Sequence, residues 1–204
     1  APSLEFATGV IILPQRQTAL VAKQAANVDY LTGGKFRLGV GIGWNAVEFE
    51  GLNEPFGNRA KRFVEQIDLI RQLTSQETID YRGEWHRIDL AGIRPLGVQQ
   101  PIPIWIGGSA EVAVRRGARI ADGFMVNGVS AQAHGSAIAV LRDELARQGR
   151  SWDTYGVDAR VDIARGNADS WKRDFERLRI ENVSHVTLVT ISAQFPEFGQ
   201  HLER

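Results

Sequence analysis

The chain has no cysteine among its 204 residues, which excludes disulfides, thiolate metal sites and cysteine nucleophiles. That absence fits a reducing compartment, and a cytoplasmic location is expected. Net charge is lacking too: 24 basic residues face 24 acidic ones, with no Lys/Arg cluster interleaved with aromatics. Nucleic acid and anionic membranes are therefore not expected partners. No apolar run is long enough to span a bilayer, and no charged-then-apolar leader is visible. The opening Ala-Pro-Ser has no initiator methionine and reaches apolar sequence by Leu4, which reads as a cut start. Four histidines (His86, His134, His185, His201) fall at no metal-ligand spacing. Nucleophile-elbow, P-loop and zinc-protease motifs are missing. Paired catalytic carboxylates do not stand out, although Glu48 and Asp122 lie near strand ends, so no catalytic residue is assigned.

What is present is the pattern of an ordinary globular domain, 43% hydrophobic and long enough for one full core. Residues 4–13, "LEFATGVIIL", read as a strand buried on both faces. The helix over 18–34 has Leu20, Val21, Ala25, Val28 and Leu31 as its apolar stripe and stops at Gly33-Gly34. "FRLGVG" (36–41) is the next strand, followed by a polar, aromatic loop over 44–58. A helix then places Phe63, Ile67, Ile70 and Leu73 on one face. Residues 76–92 alternate and turn at Arg82-Gly83, the pattern of a surface hairpin. Beyond it, strand and helix alternate: "PIPIWIGG", a helix begun by Ser109 as N-cap, "DGFMVNG", "SAIAVLRDELARQG", "YGVDARVDIA", "SWKRDFERLRI" and "VSHVTLVT". Such alternation calls for a parallel sheet with helical crossovers. Six units fit a doubly wound open sheet, or a (β/α)8 barrel lacking two units at its front.

Glycine gathers at strand ends. Gly9 interrupts a β-branched strand, marking a bulge, a tight barrel layer or a group pressed on the backbone. "GVGIGW" (39–44) lacks the third glycine of the dinucleotide fingerprint and is followed by a long loop, which argues against a nicotinamide site. Gly107-Gly108-Ser109 lies between a strand and a helix start, where main-chain N–H groups can cradle an anion; a plain tight turn is the bland alternative. If these ends share one rim, they enclose room for a planar ring with a phosphate tail.

Residues 7–73, from "ATGVIILPQRQ" through "GVGIGWNAVEFEG" to "FVEQIDLIRQL", together with "PIPIWIGGSAEVAVRRGARIADGFM", resemble the luciferase-like monooxygenase family. The forms GW-N-x-x-EF-x-G and P-x-P-I-W-I-G-G-S are most similar to its coenzyme F420 branch. The resemblance implies an α/β fold, a (β/α)8 TIM barrel of the bacterial luciferase type, with strands three to eight here as one partial domain over 1–204 and an insertion hairpin over 76–100. It implies an oxidoreductase or monooxygenase that moves a hydride, or activates oxygen, on a small organic substrate, with F420 preferred and FMN the alternative. Thr8, Gly9 and Val10 would back the ring at a third-strand bulge with a cis Gly9–Val10 peptide. Gly41, Ile42, Gly43 and Trp44 would edge it, and Gly107, Gly108, Ser109 and Asn127 would hold the phosphate. No metal is implied, and a homodimer is expected. Two positions depart from the family pattern, Thr18 in place of proline and Asn182 in place of glycine. A catalytically incomplete cofactor-binding remnant and a phosphosugar-type barrel enzyme are the rival readings.

Overall fold

The computed structural model describes residues 3–190 and Gly199, which leaves His201 outside the described residues. The chain divides into two compact units, Ala1–Ile106 and Gly107–Arg204.

The first unit is built around β3 (Phe36–Gly41), which pairs in parallel with β1 (Phe6–Ala7) and β2 (Ile11–Ile12), and with β6 (Ile104–Gly108) through Ile104–Ile106. The expected first strand is therefore two short pieces, and it is not buried on both faces. Phe6 is 48% exposed, and Ile11 and Ile12 are only partly covered. Among the described residues its sole strand neighbour is β3.

Helix α1 (Thr18–Thr32) ends where expected, on Gly33 in the left-handed region. Its buried face, however, is Thr18, Val21, Ala22, Ala25, Ala26 and Asp29, whereas Leu20, Val28 and Leu31 point outward. Small side chains let the helix seat closely, and the larger apolar ones are left on the outside. Within the loop over 44–58 lies an unexpected short helix, α2 (Ala46–Gly51), begun by Asn45, whose side chain accepts from Val47 N. Helix α3 (Arg59–Ser75) buries Phe63, Ile67, Ile70 and Leu73 as its periodicity requires.

The hairpin is β4 (Ile79–Arg82) and β5 (Arg87–Ala91). Its tip closes on Glu65 of α3, whose carboxylate accepts from the main-chain N of Glu84 (2.8 Å), Trp85 (2.9 Å) and His86 (2.8 Å). The His86 ring lies between two partners, Nδ1 at 2.7 Å from Glu65 Oε1 and Nε2 at 2.7 Å from Thr18 Oγ1. Thr18, standing where the family has proline, is thus a buried hydrogen-bonding hub that also accepts from Gln66 Nε2 at 2.9 Å.

The second unit carries β7 (Gly123–Val126), β8 (Gly156–Asp162) and β9 (His185–Val189) in parallel, with helices α4 (Glu111–Ile120), α5 (Ala131–Arg147) and α6 (Ala168–Ile180). Helix α5 starts five residues before the expected Ser136, because Ser130 caps it by accepting from Ala133 N. Ser109 is not the cap of α4; that position is Ala110, with no side-chain cap bond. Asn182, replacing the family's glycine, sits at φ +54°, a conformation that asparagine tolerates better than most residues. Among the described residues, no helix is long and apolar enough to cross a membrane.

Helices α4 and α5 are joined through Glu144, a buried carboxylate that accepts from Arg119 Nε (2.6 Å) and Arg115 Nη1 (3.0 Å). The Arg119 bond, reinforced by Arg115 and Gln148 against the cost of burial, holds the Glu144 carboxyl at about 2. A depressed carboxyl stabilises the fold above its unfolded value and loses that contribution as pH falls through its folded one. The difference in urea midpoint between the wild type and Glu144→Gln is therefore expected to be constant above about pH 5. It should shrink steadily from there down to pH 2, and a pH-independent difference would contradict the assignment.

Candidate functional site

In the first unit the site elements are set by a mismatch in strand length. Ala7 pairs with Arg37 and Ile11 with Val40, so the first segment holds one residue more than its partner. That is the expected bulge, and the Gly9–Val10 peptide within it is cis. Thr8 compensates for the interrupted ladder: its Oγ1 accepts from Gly39 N and donates to Gly39 O, both at 2.8 Å. A side chain at Gly9 would meet nothing within 4 Å, so the main chain there faces open space.

Gly43 has a different reason to be glycine. Its φ is +74°, and an added Cβ would come within 2.7 Å of Ile12 and 2.9 Å of Phe49. Gly43 is demanded by its own turn and by tight packing, before any ligand is considered. Beyond it Trp44 is 85% exposed. Arg59 steadies the turn by donating from Nε to Gly43 O at 3.3 Å while its guanidinium stacks 3.6 Å from the Phe56 ring centre. Gly41 is buried as the last residue of β3, and Ile42 is half-buried. Glu48 accepts from Gln15 Nε2 (3.0 Å) and Asn45 Nδ2 (3.2 Å), which links the 3-10 turn Leu13–Gln15 after β2 to α2.

In the second unit Gly107 and Gly108 close β6, and Ser109 and Ala110 lead into α4. A Cβ on Gly108 would press on Ala113 at 3.0 Å, so that glycine serves the close seating of α4. Asn127 follows β7, and its main-chain N donates to Gly108 O at 3.0 Å. Its side-chain Oδ1 accepts from Arg160 Nη1 of β8 at 2.8 Å. Glu111 occupies the first turn of α4 and pairs with Arg115, which places a negative charge where an anion was expected to benefit from the helix end. The structure thus joins Thr8, Gly9 and Val10 to β3 in one unit, and Gly108 to Asn127 in the other. Sequence reasoning missed Arg59, Gln15 and Arg160; only Arg160 left a trace, in the alternation of "VDARVD".

A family model described as luciferase-like monooxygenase matches residues 1–178. Similar curated proteins include an uncharacterized protein of Mycobacterium tuberculosis, 42% identical over 61% of this chain and 43% of its own length. The FMNH(2)-dependent dimethylsulfone monooxygenase of Pseudomonas putida is 32% identical over 72% of this chain and 41% of its own. The F420-dependent glucose-6-phosphate dehydrogenase of Nakamurella multipartita is 34% identical over 66% and 40%. The chain therefore spans less than half the length of these relatives. Among solved structures, an F420-dependent secondary alcohol dehydrogenase in complex with an F420-acetone adduct superposes with a TM-score of 0.74 at 14% identity, over 91% of this chain and 73% of that one. That likeness establishes the fold: parallel β/α units of a TIM barrel, present in part.

Proposed function

Since the chain belongs to the luciferase-like monooxygenase family, whose members include FMNH(2)- and F420-dependent oxidoreductases, we propose that the whole protein is a redox enzyme of this kind acting on a small organic substrate, with F420 its preferred cofactor and FMN the alternative. The observation that carries the reading is the bulge at Thr8–Val10, where the main chain at Gly9 has open space and Thr8 has taken over the hydrogen bonds of Gly39. A flat ring can lie against such a backbone without displacing a side chain. The preference for F420 rests on the GW-N-x-x-EF and IWIGGS motifs.

In this reading Thr8, Gly9 and Val10 back the ring, Gly41–Trp44 edge it, and Gly107, Gly108, Ser109 and Asn127 receive the phosphate. The cofactor supplies the hydride or the activation of oxygen; the protein binds, orients and excludes water. Arg59 and Glu48 keep the Gly43–Trp44 turn and α2 in place, so Trp44 is presented from a fixed base. Titration of the full-length protein with F420 and with FMN, followed in the visible spectrum, tests the proposal. A saturable band shift is expected with F420 and a weaker one with FMN. No shift with either would overturn it.

A further inference from the structure

Helix α6 is seated on the apolar face of β8. Val157, Ala159 and Val161 are buried, the last two against Leu178, while Asp158, Arg160 and Asp162 alternate with them and so lie on the opposite face. Arg177, the residue before Leu178, reaches α5, where its Nη2 lies 3.0 Å from Nδ1 of His134. His134 is one turn into that helix and only 1% exposed, and its Nε2 lies 2.9 Å from the carbonyl oxygen of Gly128.

These two contacts assign both ring nitrogens. A guanidinium can only donate and a carbonyl can only accept, so Nδ1 offers its lone pair and Nε2 carries the hydrogen. The ring held here is neutral, and it ties α6, through Arg177, to the β7–α5 loop (127–130), through Gly128. That loop is closely seated, since a Cβ on Gly128 would come within 2.7 Å of Ala133 Cβ.

A proton on Nδ1 fits none of its surroundings. It would set a donor against a donor, beside the Arg177 cation and at the positive end of α5. The loop residues Asn127, Gly128, Val129 and Ser130 bring no charge to offset it, and β8 turns its three ions to its other face. The carboxylates around Arg177 are Asp174 at 3.7 Å and Glu181 at 3.5 Å, both on α6. Arg142 of α5 donates to the main-chain oxygen of Glu181 at 2.7 Å. Arg177 Nη1 and Glu181 Oε2 are both buried without a hydrogen bond among the described residues. The guanidinium therefore has a second partner within a small movement of its present one.

We infer that His134 and Arg177 form a pH-sensitive clasp on the β7–α5 loop: the neutral ring locks it, and protonation passes Arg177 to Glu181 and frees the loop. An ionised donor buried without an acceptor is costly, so the charged ring moves toward water and its bond to Gly128 O is lost with it. The sign follows: the clasp is closed while the ring is neutral and opens as falling pH protonates it. Two discrete partners for one guanidinium make the element bistable. The loop follows the C-terminal end of β7, the end of a β/α unit at which barrel sites are built. The clasp needs no cofactor, so its test is separate from that of the cofactor reading.

Amide exchange of the full-length protein is compared at about pH 8 and about pH 5, the span in which histidine changes charge, with rates corrected for the intrinsic pH dependence of exchange. In the wild type, exchange at Gly128 and residues 131–134 is expected to accelerate by about tenfold or more in acid. His134→Gln can still donate to Gly128 O but does not titrate, so it should change by less than about twofold, although His86 and His185 are still present. Arg177→Met removes the opposing cation and should respond less than the wild type. Ring nitrogen shifts of wild-type His134 at about pH 8 give a second readout, with the hydrogen expected on Nε2. A hydrogen on Nδ1, a loop indifferent to pH in the wild type, or an undiminished response in His134→Gln would each overturn the clasp.

Discussion

Replacing Glu65 with alanine is expected to cost about 2 kcal/mol of stability, because one carboxylate holds the whole tip of the hairpin. Its side chain is 11% exposed and accepts three main-chain N–H groups as well as the His86 ring. Removing it leaves the part-buried donors of Trp85 and His86 short of an acceptor, while the exposed Glu84 N can turn to water. Burial alone would push the Glu65 carboxyl up, but the bonds from His86, Trp85 and Glu84 outweigh it and hold the group below the usual carboxylate range. Its contribution is therefore present at neutral pH and is lost only as acid protonates it in the folded state. Glu65→Gln, which keeps an acceptor oxygen but no charge, should recover roughly half of the loss. Urea denaturation measures the stability, and amide exchange at residues 83–88 should lose protection first. Unaltered protection at the tip in Glu65→Ala would show that the hairpin is held by something else.

Gly43→Ala is the second large expected effect. The left-handed backbone at φ +74° disfavours any Cβ by roughly 1–2 kcal/mol. The new methyl would also crowd the Ile12 side chain and the Phe49 ring, and overpacking of this kind costs about 1–3 kcal/mol more. Because Ile12 ends β2 and Phe49 anchors α2, the strain enters both edges of the proposed ring site, so cofactor affinity should fall together with stability. Gly9→Ala provides the contrast. Its Cβ would touch nothing within 4 Å, so the melting temperature should barely move, while a ring resting on that backbone would be displaced. Equal cofactor affinity in Gly9→Ala and the wild type would separate the bulge from the ring site.

The parts that were legible in the sequence are those whose signal is local. Phe63, Ile67, Ile70 and Leu73 repeat at helical spacing and are buried. Gly9 broke a β-branched run and does mark a bulge, and Gly33 does end a helix. Helix α1 was misjudged in its facing because hydrophobic size is not fit: alanines and Asp29 make its inner face. The buried Asp29 carboxylate accepts from Gln99 N (2.8 Å) and Gln99 Nε2 (2.6 Å), a partner seventy residues away that no window reveals. Helix α2 escaped notice at six residues, too short for periodicity, although Asn45 and Glu48 are spaced as a capping pair. Ser109 looked like a cap on composition alone, and the chain enters α4 one residue later. Arg160 was passed over because a charge within a strand reads as a solvated edge until the register shows which face it shares.

The two-faced β8 also guards the assembly of its own sheet. A slip of one residue against β7 or β9 would swing Asp158, Arg160 and Asp162 beneath the helical layer and turn Val157, Ala159 and Val161 out of it. Moving Arg160 and Asp162 under the helices without partners would cost several kcal/mol, so a slipped register is disfavoured. The alternation of β8 therefore fixes its register as well as its two faces.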